Sequence, residues 1–501
     1  MIEKLESKRL AIQADLDGLK TQEERNRLGQ FATPSPLARD ILVHAKGLLP
    51  QGSPVQFLDP ALGSGAFYAA LKRVFDPQSI KHAAAFEIDL HYGKPAQELW
   101  EEQGLHLTHG DFTKAEPEPR YNLIICNPPY VRHHHLPADD KTRLHERSLA
   151  ATGCKLSGLA GLYVHFLLQA HAWMAPGAIS GWLIPSEFMD VNYGREVKRY
   201  LLEKVTLLQI HRFSPDDAQF ADALVSSAIV WVKNEAPTED HLPLFTFGGP
   251  LSAPHIIKVV NRKDLAAEAK WSRFPRYEVR EAEASGTQRL GDLFSIKRGL
   301  ATGDNKFFVL SEQQVKDRKI PSTVLRSILP SPRYVKGDEI QADHNGLPIN
   351  VSRLFLLDPK MDEEEIRKAH PTLASYLDEG KEAGVHEGYL CRGRKRWYDQ
   401  EQRAPAPIVC TYMGRSDGKT GRPFRFVRNH SQATVANTYL AMYPKPALEE
   451  RLSQDPGLME RIWQQLNRIS PEVLLGEGRV YGGGLHKLEP KELSKVPLVL
   501  D

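Results

Sequence analysis

The chain has 501 residues, 41 % apolar and 26 % charged, with a net charge of +2, which suits two or three ordinary globular domains. No run reaches the roughly 18 apolar residues a membrane helix needs, and the charged N-terminus lacks a signal-peptide core. Cys126, Cys154, Cys391 and Cys410 have no metal-ligand spacing and read as reduced thiols of a cytoplasmic protein.

Residues 3–28 read as one helix, with Leu5, Ile12, Leu16 and Leu19 on a single stripe and an end near Gly29. From about 36 to 235, strand-like runs alternate with helical patterns. The strands are expected at 55–58, 83–88, 123–126, 179–184, 206–210 and 226–232, and the helices at 65–75, 92–103, 162–174 and 194–204. Such alternation predicts an α/β domain with a central, mostly parallel sheet covered on both faces. The loop 131–159, rich in charge and glycine, is expected to order over a ligand. Beyond about 260 the runs shorten, Pro, Gly and Arg multiply, and the alternation stops, which predicts a separate α+β domain. The expected division is therefore 1–28, 29–260 and 261–501.

Three sites in the α/β half point to a nucleoside. Asp59-Pro60-Ala61-Leu62-Gly63-Ser64-Gly65 follows a strand, and its glycines let backbone approach a ligand as the strand turns into a helix. Alone this could be a tight turn. Glu87, 22 residues past Gly65 at the end of the next strand, could accept both hydroxyls of a ribose, with Ile88 beside it to cover a purine. Asp111 could accept from a purine amine while Phe112 packs on the ring. Each acid alone could equally be a surface group.

The decisive motif is Asn127-Pro128-Pro129-Tyr130, again at a strand end. Two prolines stiffen the turn and remove two amide donors. The Asn127 side-chain oxygen and the Pro128 carbonyl could then each accept one hydrogen of a planar NH₂ group. Two acceptors outside the amine plane localise the nitrogen lone pair for attack on a methyl donor, and Tyr130 could stack on the ring bearing the amine.

At these residues the chain resembles the gamma group of class I S-adenosyl-L-methionine (SAM)-dependent adenine-N6 DNA methyltransferases. The resemblance implies a Rossmann-like catalytic domain, a C-terminal target-recognition domain, SAM as cofactor and double-stranded DNA as substrate. By it, Gln30, Phe31, Thr33 and Pro34 belong to a segment closing over the methionine end of SAM. Asp59, Ala61, Gly63, Gly65, Glu87, Ile88, Asp111, Phe112 and Asn127 line the cofactor. Asn127, Pro128, Pro129 and Tyr130 are catalytic, and Tyr130 and Phe220 clamp an extruded base. Leu62 stands where the family usually has Cys. The resemblance further implies a monomer with no membrane association, and a possible cognate restriction endonuclease on a separate chain.

DNA contacts are expected from the C-terminal half. Between Cys391 and His430 ten Lys/Arg face three acids, with Trp397, Tyr398, Tyr412, Phe424 and Phe426 interleaved, a pattern that suits phosphates and bases but also a solvated basic face. The candidates are Arg394, Arg396 and Arg415 there, Arg298, Thr302 and Asn305 in a glycine-containing stretch, and Lys487 near a second one. No metal is expected, since consecutive His133, His134 and His135 cannot readily face one ion. Two other readings use the same turn or fold: methylation of a protein amide or RNA base, and a non-enzymatic DNA-binding subunit.

Overall fold

The computed structural model describes residues 2–213, 227–274, 287–415, 422–481 and 485–499. They fall into two compact units, the first running through Phe274 and the second taking up from Thr287.

The first unit begins with two helices where one was expected, α1 (Ile2–Gly18) and α2 (Gln22–Leu28). Thr21 makes the break. Its hydroxyl accepts the Glu24 N–H at 3.2 Å while the Glu24 carboxylate accepts the Thr21 N–H at 2.8 Å, a reciprocal cap that starts a new helix. Leu19 accordingly leaves the stripe and is exposed, whereas Leu5, Ile12 and Leu16 pack on the core.

The α/β part follows in the order α3 (Ser35–Leu48), β1 (Val55–Asp59), α4 (Ala66–Val74), β2 (Ile80–Glu87), α5 (Leu90–Trp100), β3 (His106–His109), β4 (Tyr121–Cys126), α6 (Ala138–Thr152), α7 (Leu162–Gln169), β5 (Met174–Pro185), α8 (Gly194–Glu203), β6 (Thr206–Arg212), β7 (Ser227–Lys233), β8 (Leu244–Phe247) and β9 (Ile256–Val259). The nine strands form one sheet in the order β3-β2-β1-β4-β5-β7-β6-β8-β9. The first five are mutually parallel, and β7 inserts antiparallel between β5 and β6.

Strand alternation sends Phe57, Leu123 and Ile125 to one apolar cluster and Leu58, Ile124 and Cys126 to the other, so both faces are covered. The sequence direction reverses between β1 and β4, the place where an open sheet of this Rossmann-like kind leaves a crevice outside its carboxyl ends.

Two boundaries differ from expectation. The presumed loop after the Asn127–Tyr130 turn contains α6. Its inward positions are Leu144, Ser148 and Thr152, so two of the three buried residues are hydroxylic and give no apolar period. The first unit also continues past residue 260, because Trp271 and Phe274 complete the cluster that holds Ile210 and Phe245.

The second unit is built from small, mostly antiparallel sheets. Phe294–Arg298, Tyr439–Pro444, Ile408–Thr411, Phe426–Asn429 and Glu339–Ile340 make a five-stranded one, with shorter sheets and helices around it. This is the expected α+β architecture.

Candidate active site

Three parallel strands deliver their last residues to the crevice. Asp59 closes β1 with no exposed surface; one carboxylate oxygen accepts the Ala61 N–H at 3.1 Å and the other is buried without a partner. Burial, opposed by the Ala61 hydrogen bond and aided by the nearby Glu87 charge, pushes its pKa up to about 8. The loop after it turns on Gly63 (φ +58°) and Gly65 (φ +91°). Gly65 lies against the Trp100 indole, which donates to the Ser64 carbonyl at 2.9 Å, so no side chain fits there. At Gly63 a Cβ would meet only open space, leaving the bare backbone facing outward.

Glu87 closes β2 and binds that loop: its carboxylate accepts the N–H of Gly63 and of Asp89, each at 2.8 Å. Burial pushes its pKa up as well, against those two hydrogen bonds. Ile88 is 68 % exposed, while Phe112 is nearly covered among Phe86, Phe166 and Trp173. Of the two apolar purine contacts expected, Ile88 therefore has the open face. Asp111 accepts the Thr113 N–H at 2.9 Å and lies 3.4 Å from the Arg143 guanidinium of α6.

Asn127 closes β4. Its Nδ2 donates to the Phe31 carbonyl at 2.9 Å and to Thr33 Oγ1 at 3.1 Å, and its Oδ1 is buried with no partner. Tyr130 N–H donates to the Gly29 carbonyl at 3.2 Å, its hydroxyl donates to the Leu183 carbonyl at 3.0 Å, and its ring sits 5.6 Å from that of Phe31. Pro34 caps α3. Gln30, expected at the cofactor, instead gives its side chain to Asp89 (2.7 Å) and Lys20 (2.9 Å), a tie between the N-terminal helices and the loop after β2. Phe220 lies outside the described residues.

Arg9 was missed by reading α1 as a polar helix with one apolar stripe. Only 1 % exposed, it pairs with Glu6 at 2.7 Å and donates to Ser64 at 2.8 Å and Ser35 at 2.9 Å. One buried cation thus joins the loop after β1 to the start of α3. Position 9 lies on the stripe of Leu5, Ile12 and Leu16, and that spacing was the available signal.

The second unit corrects several DNA-contact expectations. Thr302 is buried and its hydroxyl donates to Asn305 Oδ1 at 2.6 Å. Arg394 donates to the carbonyls of Thr302 and Ala301, both at 2.8 Å, and Arg396 binds Asp399 at 2.8 Å and the Lys360 carbonyl at 3.1 Å. These groups hold their own loops. Tyr398, Tyr412, Phe424 and Phe426 are core residues, not a stacking platform. Arg298 and Lys487 flank the Tyr412 ring at 4.3 and 5.1 Å from its centre, and Arg415 ends the strand Met413–Arg415. Among the described residues no cluster of three His, Cys, Asp or Glu could hold a metal. His133–His135 form a single 3₁₀ turn.

Residues 76–220 match the family described as Eco57I restriction-modification methylase, and residues 277–500 the C-terminal domain of the type II methyltransferase M.Eco57I. The type II methyltransferase M.XamI of Xanthomonas campestris pv. amaranthicola is 29 % identical over 94 % of this chain and 85 % of its own length. M.AccI of Acinetobacter calcoaceticus is 26 % identical over 97 % and 88 %.

Both family matches and both relatives agree on a restriction-modification DNA methyltransferase. A solved structure of the type IIL restriction-modification enzyme MmeI, in complex with DNA, shares the methylase's fold with a TM-score of 0.56 at 14 % identity; the alignment covers 88 % of this chain and 66 % of that one.

The methylase uses SAM as cofactor. Its crevice fits that molecule: the unpartnered Asp59 oxygen awaits a ligand, and the turn at Gly63 leaves open space beside it. Asp59 and the Gly63–Gly65 turn, Glu87 with Ile88, and Asp111 are the groups that would hold it.

Proposed function

We propose that the methylase transfers a methyl group to the N6 amine of adenine in a specific duplex DNA sequence. One observation carries the reading. Asn127 presents a buried carbonyl oxygen with no partner, while its own N–H groups are held on the other side.

A buried oxygen lacking a donor costs about 1–3 kcal/mol, and an exocyclic amine offers the missing donor. Asn127 Oδ1 accepts one amine hydrogen and the Pro128 carbonyl the second. Acceptors placed off the amine plane would draw the lone pair out of ring conjugation. SAM supplies an electrophilic methyl on sulfonium sulfur. No strong base is required of the chain, because the amine acquires its positive charge only as the new N–C bond forms and can then release a proton to water.

An adenine amine inside a duplex cannot reach a buried oxygen, so the base must leave the stack. Tyr130 and Phe220 would hold it. The C-terminal unit would read the sequence, with Arg298, Arg415 and Lys487 as the remaining contact candidates, and a cognate endonuclease would be a separate chain.

The test is direct: incubate the methylase with labelled SAM and separate DNA, RNA and protein pools, then digest the labelled DNA to nucleosides. N6-methyladenosine as the deoxynucleoside is expected. Label in N4- or 5-methylcytosine, or in RNA or protein instead, would contradict the reading.

A further inference from the structure

The segment running from Gly29 to Thr33 touches the catalytic turn at three points. The Gly29 carbonyl accepts the Tyr130 N–H at 3.2 Å, the Phe31 ring lies 5.6 Å from that of Tyr130, and the Asn127 amide nitrogen sits between the Phe31 carbonyl (2.9 Å) and Thr33 Oγ1 (3.1 Å). Gly29 is in the left-handed region at φ +66°, and a Cβ there would strike the Tyr130 backbone nitrogen, so the close approach depends on glycine.

The chemistry of the two neighbours fixes which way the amide faces. A peptide carbonyl only accepts, so the Asn127 atom beside Phe31 must be the NH₂. The Thr33 hydroxyl, 7 % exposed, takes the other amide hydrogen. With both hydrogens used, Oδ1 is the atom left for a ligand, and it is buried and unpartnered. Rotating the amide by half a turn would set carbonyl oxygen against carbonyl oxygen. It would also point two donors at an amine that itself needs acceptors.

We infer that Thr33 is a positioning residue for methyl transfer: its hydroxyl, with the Phe31 carbonyl, locks the Asn127 amide so that Oδ1 faces the substrate amine. This rests on the amine-acceptor role proposed for Asn127, and it assigns to this segment an orienting task separate from covering the cofactor.

Two substitutions separate the hydroxyl from the shape of the side chain. Thr33→Val keeps the branched outline and removes the acceptor, and Thr33→Ser keeps the acceptor and removes a methyl. Single-turnover transfer to duplex DNA is measured at saturating SAM and DNA, with SAM affinity measured separately by calorimetry and folding checked by melting temperature.

The lock predicts that Thr33→Val slows transfer about tenfold with SAM affinity within about twofold of wild type, the equivalent of about 1.4 kcal/mol lost at the reacting group with one hydrogen bond. Thr33→Ser should stay within about twofold in rate. Serine slower than valine would mean that packing matters and would overturn the proposal. A valine variant that loses SAM affinity tenfold at unchanged transfer rate would also overturn it, making Thr33 a cofactor contact instead. Nucleoside analysis of the wild-type product from the same reactions tests the adenine reading separately, because the serine-to-valine order is read whichever amine is methylated.

Discussion

Two regions of this methylase, the crevice at the ends of β1 and β4 and the loops around Arg394 in the second unit, use their polar residues in opposite ways. At the carboxyl ends of β1 and β4, Asp59 and Asn127 are buried with an oxygen left unpaired. In the second unit, Thr302, Arg394 and Arg396 are tied to neighbouring carbonyls and carboxylates of their own unit. An unpaired buried oxygen is an energetic liability in the free protein, and it persists where a ligand relieves it. A fully paired arginine is a structural element regardless of its charge. At these five residues, satisfaction of hydrogen bonds says more about role than residue type does.

The sharpest way to break this comparison is Asn127→Ala. It removes the unpaired acceptor and should cut methyl transfer about a thousandfold, the order seen when one preorganised electrostatic partner is deleted at a reacting centre. SAM should still bind, by calorimetry, because Asp59, Glu87 and Asp111 remain. Next comes Gly29→Ala. The new Cβ meets the Tyr130 backbone and the residue must hold φ +66°, so transfer should fall by more than about tenfold, with a lowered melting temperature.

On the other side of the comparison, Arg394→Ala leaves the Thr302 and Ala301 carbonyls without their donor. It should cost about 2–3 kcal/mol in denaturant unfolding and leave the salt dependence of DNA binding unchanged. A shallower salt slope with unchanged stability would return Arg394 to the DNA surface.

The smallest effect concerns His165, fully buried with its Nδ1 on Ser148 Oγ at 2.9 Å. Burial, reinforced by His145, holds its pKa down near 3. Below pH 6.5 the unfolded chain takes up a proton that the folded chain refuses until about pH 3, so stability falls as pH drops through that window. Between pH 6.5 and 5 this contribution amounts to at most about 2 kcal/mol, and His165→Gln should remove it, so the variant loses less stability than wild type over that range.

Legibility in the sequence followed the same division. Parallel strands covered on both faces leave unbroken apolar runs, and motifs at their ends stand in order along the chain, so β1, β2, β4 and the residues closing them could be read directly. Polar groups buried by mutual pairing could not. Arg9 in α1, the hydroxylic face of α6 and the Lys20–Gln30–Asp89 tie look like surface chemistry in one dimension. The basic, aromatic stretch 391–430 failed for a related reason. Tyr398, Tyr412, Phe424 and Phe426 fill the core of small sheets whose short strands carry no clear period, and arginines beside them reach backbone carbonyls.

The central claim is that Asn127 presents its side-chain oxygen to an adenine amine. Single-molecule sequencing of DNA from matched hosts expressing wild type or Asn127→Ala tests it most directly, since it reports modified base and site together. The account predicts N6-methyladenine in one defined sequence with the wild-type chain and none there with the variant. Modified adenines that persist with Asn127→Ala, or wild-type modification confined to cytosines, would contradict it.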